Sequence, residues 1–232
     1  MKLTESQRGG DGWSPIASKN SFGEWLVALL FAAGGCWLVM VYHAWWRAKP
    51  YSLGTLNESL AHVAFYCLAL AYVFGPLYRF RLLPARWVFV RRPFGIVGVG
   101  SAVLHVGLTL GPLWGKFGWP HLLHKHWDSA LLGLVSLALA LWIWRISFAG
   151  SVQRLGRDRW FRWQLAGLVL LPLVLAHFLV LGKVGKWIDW FAGRDTNAAP
   201  AGTFIIFCVG VVVIALRVVD ALSHGKRLKG GV

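Results

Sequence analysis

Two of the chain's eight histidines stand apart as side chains whose type and placing could do chemistry. His105 lies near the middle of the apolar run Val90 to Trp114, and His177 is the single imidazole of the run Trp163 to Lys183. An ionisable side chain at membrane depth is costly, so it carries a functional expectation and needs a partner. A neutral imidazole is a metal ligand, and the two are read as each other's partner with a haem iron between them.

On a helix, Gly98, Ser101, Ala102 and Thr109 share the face of His105, at offsets of three, four and seven. All are small, as a flat macrocycle held edge-on would need, although small residues equally serve helices that approach closely. His177 has Leu173, Val174, Val180 and Leu181 on its face, a setting that suits a haem wall and ordinary packing alike. His62 follows Asn57, Glu58 and Ser59, with Tyr66 one turn on. It is a candidate to bond a haem propionate, accept a quinol proton or replace a missing ligand, and Glu58 four residues earlier is its simplest partner. His43 reads as a solvated histidine at the edge of the first apolar run. His121, His124 and His126 read as a solvated loop, with docking of a partner or an anionic haem edge as a fallback.

The elements that must position these residues follow from hydropathy. The chain has 232 residues, 57% of them hydrophobic, and 15 Trp, with a mean hydropathy of +0.57. That composition specifies an all-α integral membrane protein. Six apolar runs of spanning length make a six-transmembrane-helix bundle: Trp25 to Trp46, Ser59 to Tyr78, Phe94 to Trp114, Ser129 to Phe148, Trp163 to Gly182 and Thr203 to Leu222. Residues 1–24 form a polar leader, 25–222 the transmembrane domain and 223–232 a basic tail.

The net charge of +15 would suggest nucleic acid in a soluble protein. Here Lys and Arg collect in alternate loops, 17 of 24 with the two termini, so the positive-inside rule predicts cytoplasmic termini and no nucleic-acid partner. Cys36, Cys67 and Cys208 fall in three different runs and read as core residues. The segment from Ser151 to Trp163 suits either a helix in the headgroup layer or the start of the fifth helix, and the segment from Gly185 to Gly202 a short interfacial stretch. Arg217 and Asp220 read as an ordinary helix-end pair. No phosphate loop, dinucleotide fingerprint, nucleophile elbow or zinc-protease motif occurs, so any redox chemistry must be carried by a cofactor.

Arg91, Arg92, Phe94, Gly95, Leu104 and His105, with Leu155, Gly156, Arg157, Trp160, Ala176 and His177 further on, resemble signatures of the ferric reductase-like transmembrane domain family over residues 55 to 185. The nearest subgroup is the haem-binding membrane subunits of bacterial methionine-sulfoxide reductase systems. The resemblance implies a b-type cytochrome subunit that passes electrons to an outer-face acceptor, with a quinol or a partner redox subunit as donor. Two-haem relatives carry a second histidine pair, and the matching positions here hold Arg91 and Gln164. The expectation is therefore one haem b per chain, on His105 and His177, with Arg91 in a basic cytoplasmic turn. The competing reading is a haem-free accessory or assembly subunit of a larger membrane complex. A transporter is disfavoured by the absence of an evident broken helix or intramembrane carboxylate.

Overall fold

The computed structural model describes residues 22–117, 127–148 and 150–229. Every regular element among them is helical: α1 Phe22–Trp46, α2 Leu53–Arg79, α3 Arg86–Phe89, α4 Arg91–Leu110, α5 Trp114–Phe117, α6 Trp127–Ile146, α7 Ser151–Leu155, α8 Arg157–Leu165, α9 Gly167–Phe178, α10 Val184–Phe191 and α11 Gly202–Lys229. Six stretches are long and apolar enough to cross a membrane, at residues 22–46, 53–79, 86–110, 127–146, 162–191 and 202–223. The chain is a multi-pass, all-helical membrane protein. Six crossings place the start of α1 and the end of α11 at one face, here the terminal face, and α1's end, α2's start and His105 at the other, the distal face.

Helix α2 begins six residues before the apolar run marked in the sequence. The Ser52 hydroxyl accepts the Thr55 amide at 3.2 Å and caps the first turn, so the helix carries Asn57 and Glu58 ahead of its apolar stretch. Capping chemistry, which hydropathy does not register, sets that boundary. Helix α2 is also the most enclosed crossing. It packs antiparallel along α4, its chief neighbour, and meets α1, α11 and α9 with its other faces. The second antiparallel pair is α6 with α9.

The interior is filled by Phe65, Leu171, Leu175 and Ile206 between α2, α9 and α11, by Val63, Cys67, Phe74 and Phe94 between α2 and α4, and by Leu68, Val99, Ala140 and Leu170 where four helices meet. Outward surfaces carry Leu30, Trp37, Leu134 and Val212, all largely exposed. A soluble protein would hide such a surface, whereas hydrocarbon solvates it.

The fifth crossing is discontinuous, contrary to the unbroken helix the sequence suggested. It turns at Ala166 between α8 and α9, then widens at Leu179–Lys183 into a π-helical turn in which Gly182 takes φ 70°. That backbone region is open to glycine with little cost. Beyond it, α10 buries Trp187, whose indole donates to Thr203 at 3.0 Å, and so fastens the segment to α11. The segment after Ser151 resolves into α7 and α8, and α8 begins the fifth crossing as one of the two readings held.

Candidate functional site

His105 stands five residues before the end of α4, about 8 Å from its distal terminus at 1.5 Å per residue. Its Nδ1 lies 3.0 Å from the Asn57 backbone oxygen and 2.9 Å from the Asn57 side-chain oxygen, both in the early turns of α2. A carbonyl can only accept, so Nδ1 carries the proton and Nε2 presents a lone pair. The Asn57 amide donates to Thr109 at 2.9 Å, and Thr109 donates to the His105 backbone oxygen at 2.9 Å, closing a ring of bonds around the imidazole.

His177 repeats the arrangement on α9. Its Nδ1 lies 2.8 Å from the Ser129 backbone oxygen and 3.1 Å from the Ser129 hydroxyl, at the start of α6, so it too keeps Nε2 as a lone pair. The Ser129 hydroxyl reaches back to the His177 carbonyl at 3.5 Å. Gly133 lies beneath the ring, where an added Cβ would stand 3.1 Å from the imidazole carbon Cε1. The pairs 57 with 105 and 129 with 177 are each separated by 48 residues, and the second is the first shifted by 72. The same shift relates Leu60 to Leu132, Gly95 to Gly167 and Val97 to Val169.

Neither Nε2 has a hydrogen-bond partner among the described residues, and neither is counted with the sealed, unpartnered polar atoms, so both retain access. Helices α4 and α9 pack more against α2 and α6 than against each other. Among the described residues no three His, Cys, Asp or Glu side chains converge as a metal-binding group. A metal ion held by these two imidazoles would therefore need its remaining ligands from elsewhere, as the four nitrogens of a tetrapyrrole provide.

The small face of α4 is engaged by protein. A Cβ on Gly98 would meet the Ala64 backbone oxygen, Cys67 and Leu68, each at 3.1 Å, so α4 lies close on α2 at Gly98. Ser101 is buried and donates to the Val97 carbonyl at 3.0 Å. Gly98 belongs to the α2–α4 seam, the close-approach role that the sequence left open beside the macrocycle role.

His43 corrects the sequence reading. It is 3% exposed rather than solvated, and both ring nitrogens are sealed without partners. Its ring meets that of His62 edge to face at a centroid distance of 5.5 Å. Packing explains the difference: α1 otherwise faces outward, but at its distal end it closes on α2 and on the stretch 195–200. Tyr42 donates to the Pro200 carbonyl there, and Arg47 bonds Asp195 at 2.9 Å and the Ala199 carbonyl at 2.8 Å.

His62 does not pair with the Glu58 side chain. Its Nδ1 lies 2.6 Å from the Glu58 backbone oxygen, while the Glu58 carboxylate turns to Lys49 and stands 3.6 Å from His43. Its Nε2 is sealed against Gly202, where a Cβ would come within 2.6 Å.

Arg91 is not in a turn. It opens α4 and reaches inward to bond the Ala71 carbonyl at 3.0 Å, while Gln164 donates to Ser147 at 3.3 Å. Asp220 is buried and bonds Arg79 through both oxygens, with Arg217 at 3.9 Å, so the helix-end pair is joined by Arg79 and a carboxylate does lie within the bundle. His121, His124 and His126 lie outside the described residues.

Sequence reasoning found both imidazoles but missed Asn57 and Ser129 as their anchors. The signal present was the common 48-residue spacing. Compared with known proteins, the chain matches no family model and no curated sequence.

Proposed function

We propose that the chain is a b-type cytochrome subunit of the inner membrane, binding one haem through His105 and His177 and serving electron transfer to an acceptor at the distal face. The observation that carries this reading is the matched state of the two imidazoles: each Nδ1 is tied to a carbonyl, each Nε2 is open, and both stand toward the distal end of the bundle. A metal-bound histidine needs this second bond to fix its tautomer and ring orientation. Haem iron, when bound, supplies one-electron chemistry. Asn57 and Ser129 hold the ligand rings, Gly133 makes room for the His177 ring, and the apolar contacts of Leu68, Val99, Ala140 and Leu170 exclude water below them. A quinol or a partner subunit is the proposed donor, because Arg91 and Gln164, both engaged with protein groups, offer no imidazole for an inner haem. The competing reading, a haem-free accessory subunit, draws on Gly98, whose lack of a side chain is accounted for by its close contact with α2.

The test is haem per polypeptide, by pyridine haemochrome against amino-acid analysis, on protein made with ample haem. The expected value is near one, falling to near zero in His105→Ala and in His177→Ala. A value near zero in the unaltered protein selects the accessory reading, and a value near two shows that other residues bind iron.

A further inference from the structure

At the terminal face, among the described residues, two arginines converge on the Asp220 carboxylate and a third, Arg91, stands close to one of them. Arg79 grips both oxygens of Asp220, and Arg217 lies 3.9 Å from the same group. Arg91 reaches in from α4 and has no ion-pair partner among the described residues; its Nη1 comes within 3.3 Å of where a Cβ on Gly75 would stand, and that of Arg217 within 3.9 Å. The two guanidiniums thus flank one point on α2. Like charges repel unless an anion lies near them. The Nε of Arg217 is sealed without a partner, and its guanidinium stands 5.9 Å over the Tyr72 ring.

Beside this cationic surplus runs a crevice of about 130 Å³, open to the outside between α2, α9 and α11. Arg217 and Tyr72 form its polar end, and Leu168, Leu171, Val213 and Val218 line the rest. Gly167 lies under the Tyr72 ring, in a place that any side chain would contest. An occupant of this site must be anionic at the arginine end and apolar beyond it, and it must arrive at headgroup level, since Arg217 and Arg91 lie within the last and first two turns of their crossings.

We propose that this crevice is a specific site for an anionic phospholipid, its phosphate lying at Arg217, with Arg91 nearby adding positive charge, and one acyl chain along Leu168, Leu171 and Val213. Net negative lipid is selected over zwitterionic lipid because a choline or ethanolamine group would set a further cation beside guanidiniums already in excess. The site is independent of the haem reading.

The experiment is native mass spectrometry of the full chain, purified in an uncharged detergent and offered phosphatidylglycerol or phosphatidylcholine. The expected result is one tightly retained phosphatidylglycerol per chain and at least tenfold less phosphatidylcholine. Retention should fall tenfold or more in Arg217→Gln and be unchanged in Arg194→Gln, which alters an exposed arginine paired with Asp189 at the distal face. Should Arg217→Gln fail to fold, Ala221→Phe fills the crevice while leaving every charge, and loss of retention is expected there as well. Equal retention of the two lipids, or undiminished phosphatidylglycerol in either crevice variant, overturns the proposal. Millimolar inorganic phosphate that displaces the lipid and raises the melting temperature as much as the lipid does would show a plain anion site and overturn it too.

Discussion

An imidazole becomes a usable ligand when something else holds its second nitrogen, and Asn57 and Ser129 do this for His105 and His177. Losing such a second bond typically weakens metal binding by about 10 to 100-fold. Asn57→Ala removes the nearer acceptor and the tie to Thr109 but leaves the Asn57 backbone oxygen at 3.0 Å, so it is expected to speed haem transfer to apomyoglobin by about tenfold at most while leaving stoichiometry near one. Ser129→Ala should do less, because its backbone carbonyl, the nearer acceptor at 2.8 Å, survives the substitution. His43 belongs to the opposite case. Its nitrogens are sealed and make no hydrogen bond among the described residues, the Glu58 carboxylate standing 3.6 Å off, and leaving such a group without a hydrogen bond costs about 1 to 3 kcal/mol. His43→Phe, of similar shape, is expected to raise the melting temperature in detergent with haem content unchanged; a lower melting temperature would show that the imidazole has a partner at that site.

At the scale of elements, the α2–α4 seam both packs the protein and aims His105. A methyl at Gly98 would press on a backbone oxygen as well as on Cys67 and Leu68, so α4 would have to withdraw from α2, and overpacking of this kind costs about 1 to 3 kcal/mol. Gly98→Val is expected to lower both stability and haem retention, because the Asn57 to His105 bond spans the same seam. Gly100→Ala, with open space around it, should be neutral or stabilising by up to about 1 kcal/mol. Thermal unfolding and haem content measured together check both variants.

The connection between α10 and α11 is tied differently. Asn197 bonds the Asp195 carboxylate through its side chain and its amide, at 3.1 Å for the amide, and with Arg47 holds the Asp195 pKa down at about 2. A carboxyl depressed below its usual value near 3.8 stabilises the tied loop above that value and loses the contribution as pH falls toward 2. Hydrogen exchange of the Asn197 amide should therefore quicken between about pH 4 and pH 2, beyond the intrinsic pH trend. In Arg47→Gln, which removes one of the three bonds, the onset should move to higher pH.

For the whole molecule, six crossings and the concentration of arginine at the terminal face give one orientation under the positive-inside rule. A reporter fused after Val232 is expected to act in the cytoplasm, and one inserted after Gly193 outside it; the reverse pattern would invert the proposed donor and acceptor sides. The sequence by itself determined the number of crossings and their approximate limits, because backbone in hydrocarbon must be helical and apolar side chains must cover it. It likewise marked His105 and His177, since a lone ionisable group in an apolar run is legible from its immediate neighbours. Tertiary structure decided what chain-distant neighbours do. Burial of His43 depends on its packing against His62 of α2, the anchoring of His105 on a residue 48 positions earlier, the inward reach of Arg91 on the Ala71 carbonyl, and the filling of the Gly98 face on α2. Hydropathy records how each segment meets its solvent, whereas these contacts depend on which helices share a seam, and packing between segments far apart in the chain sets that choice.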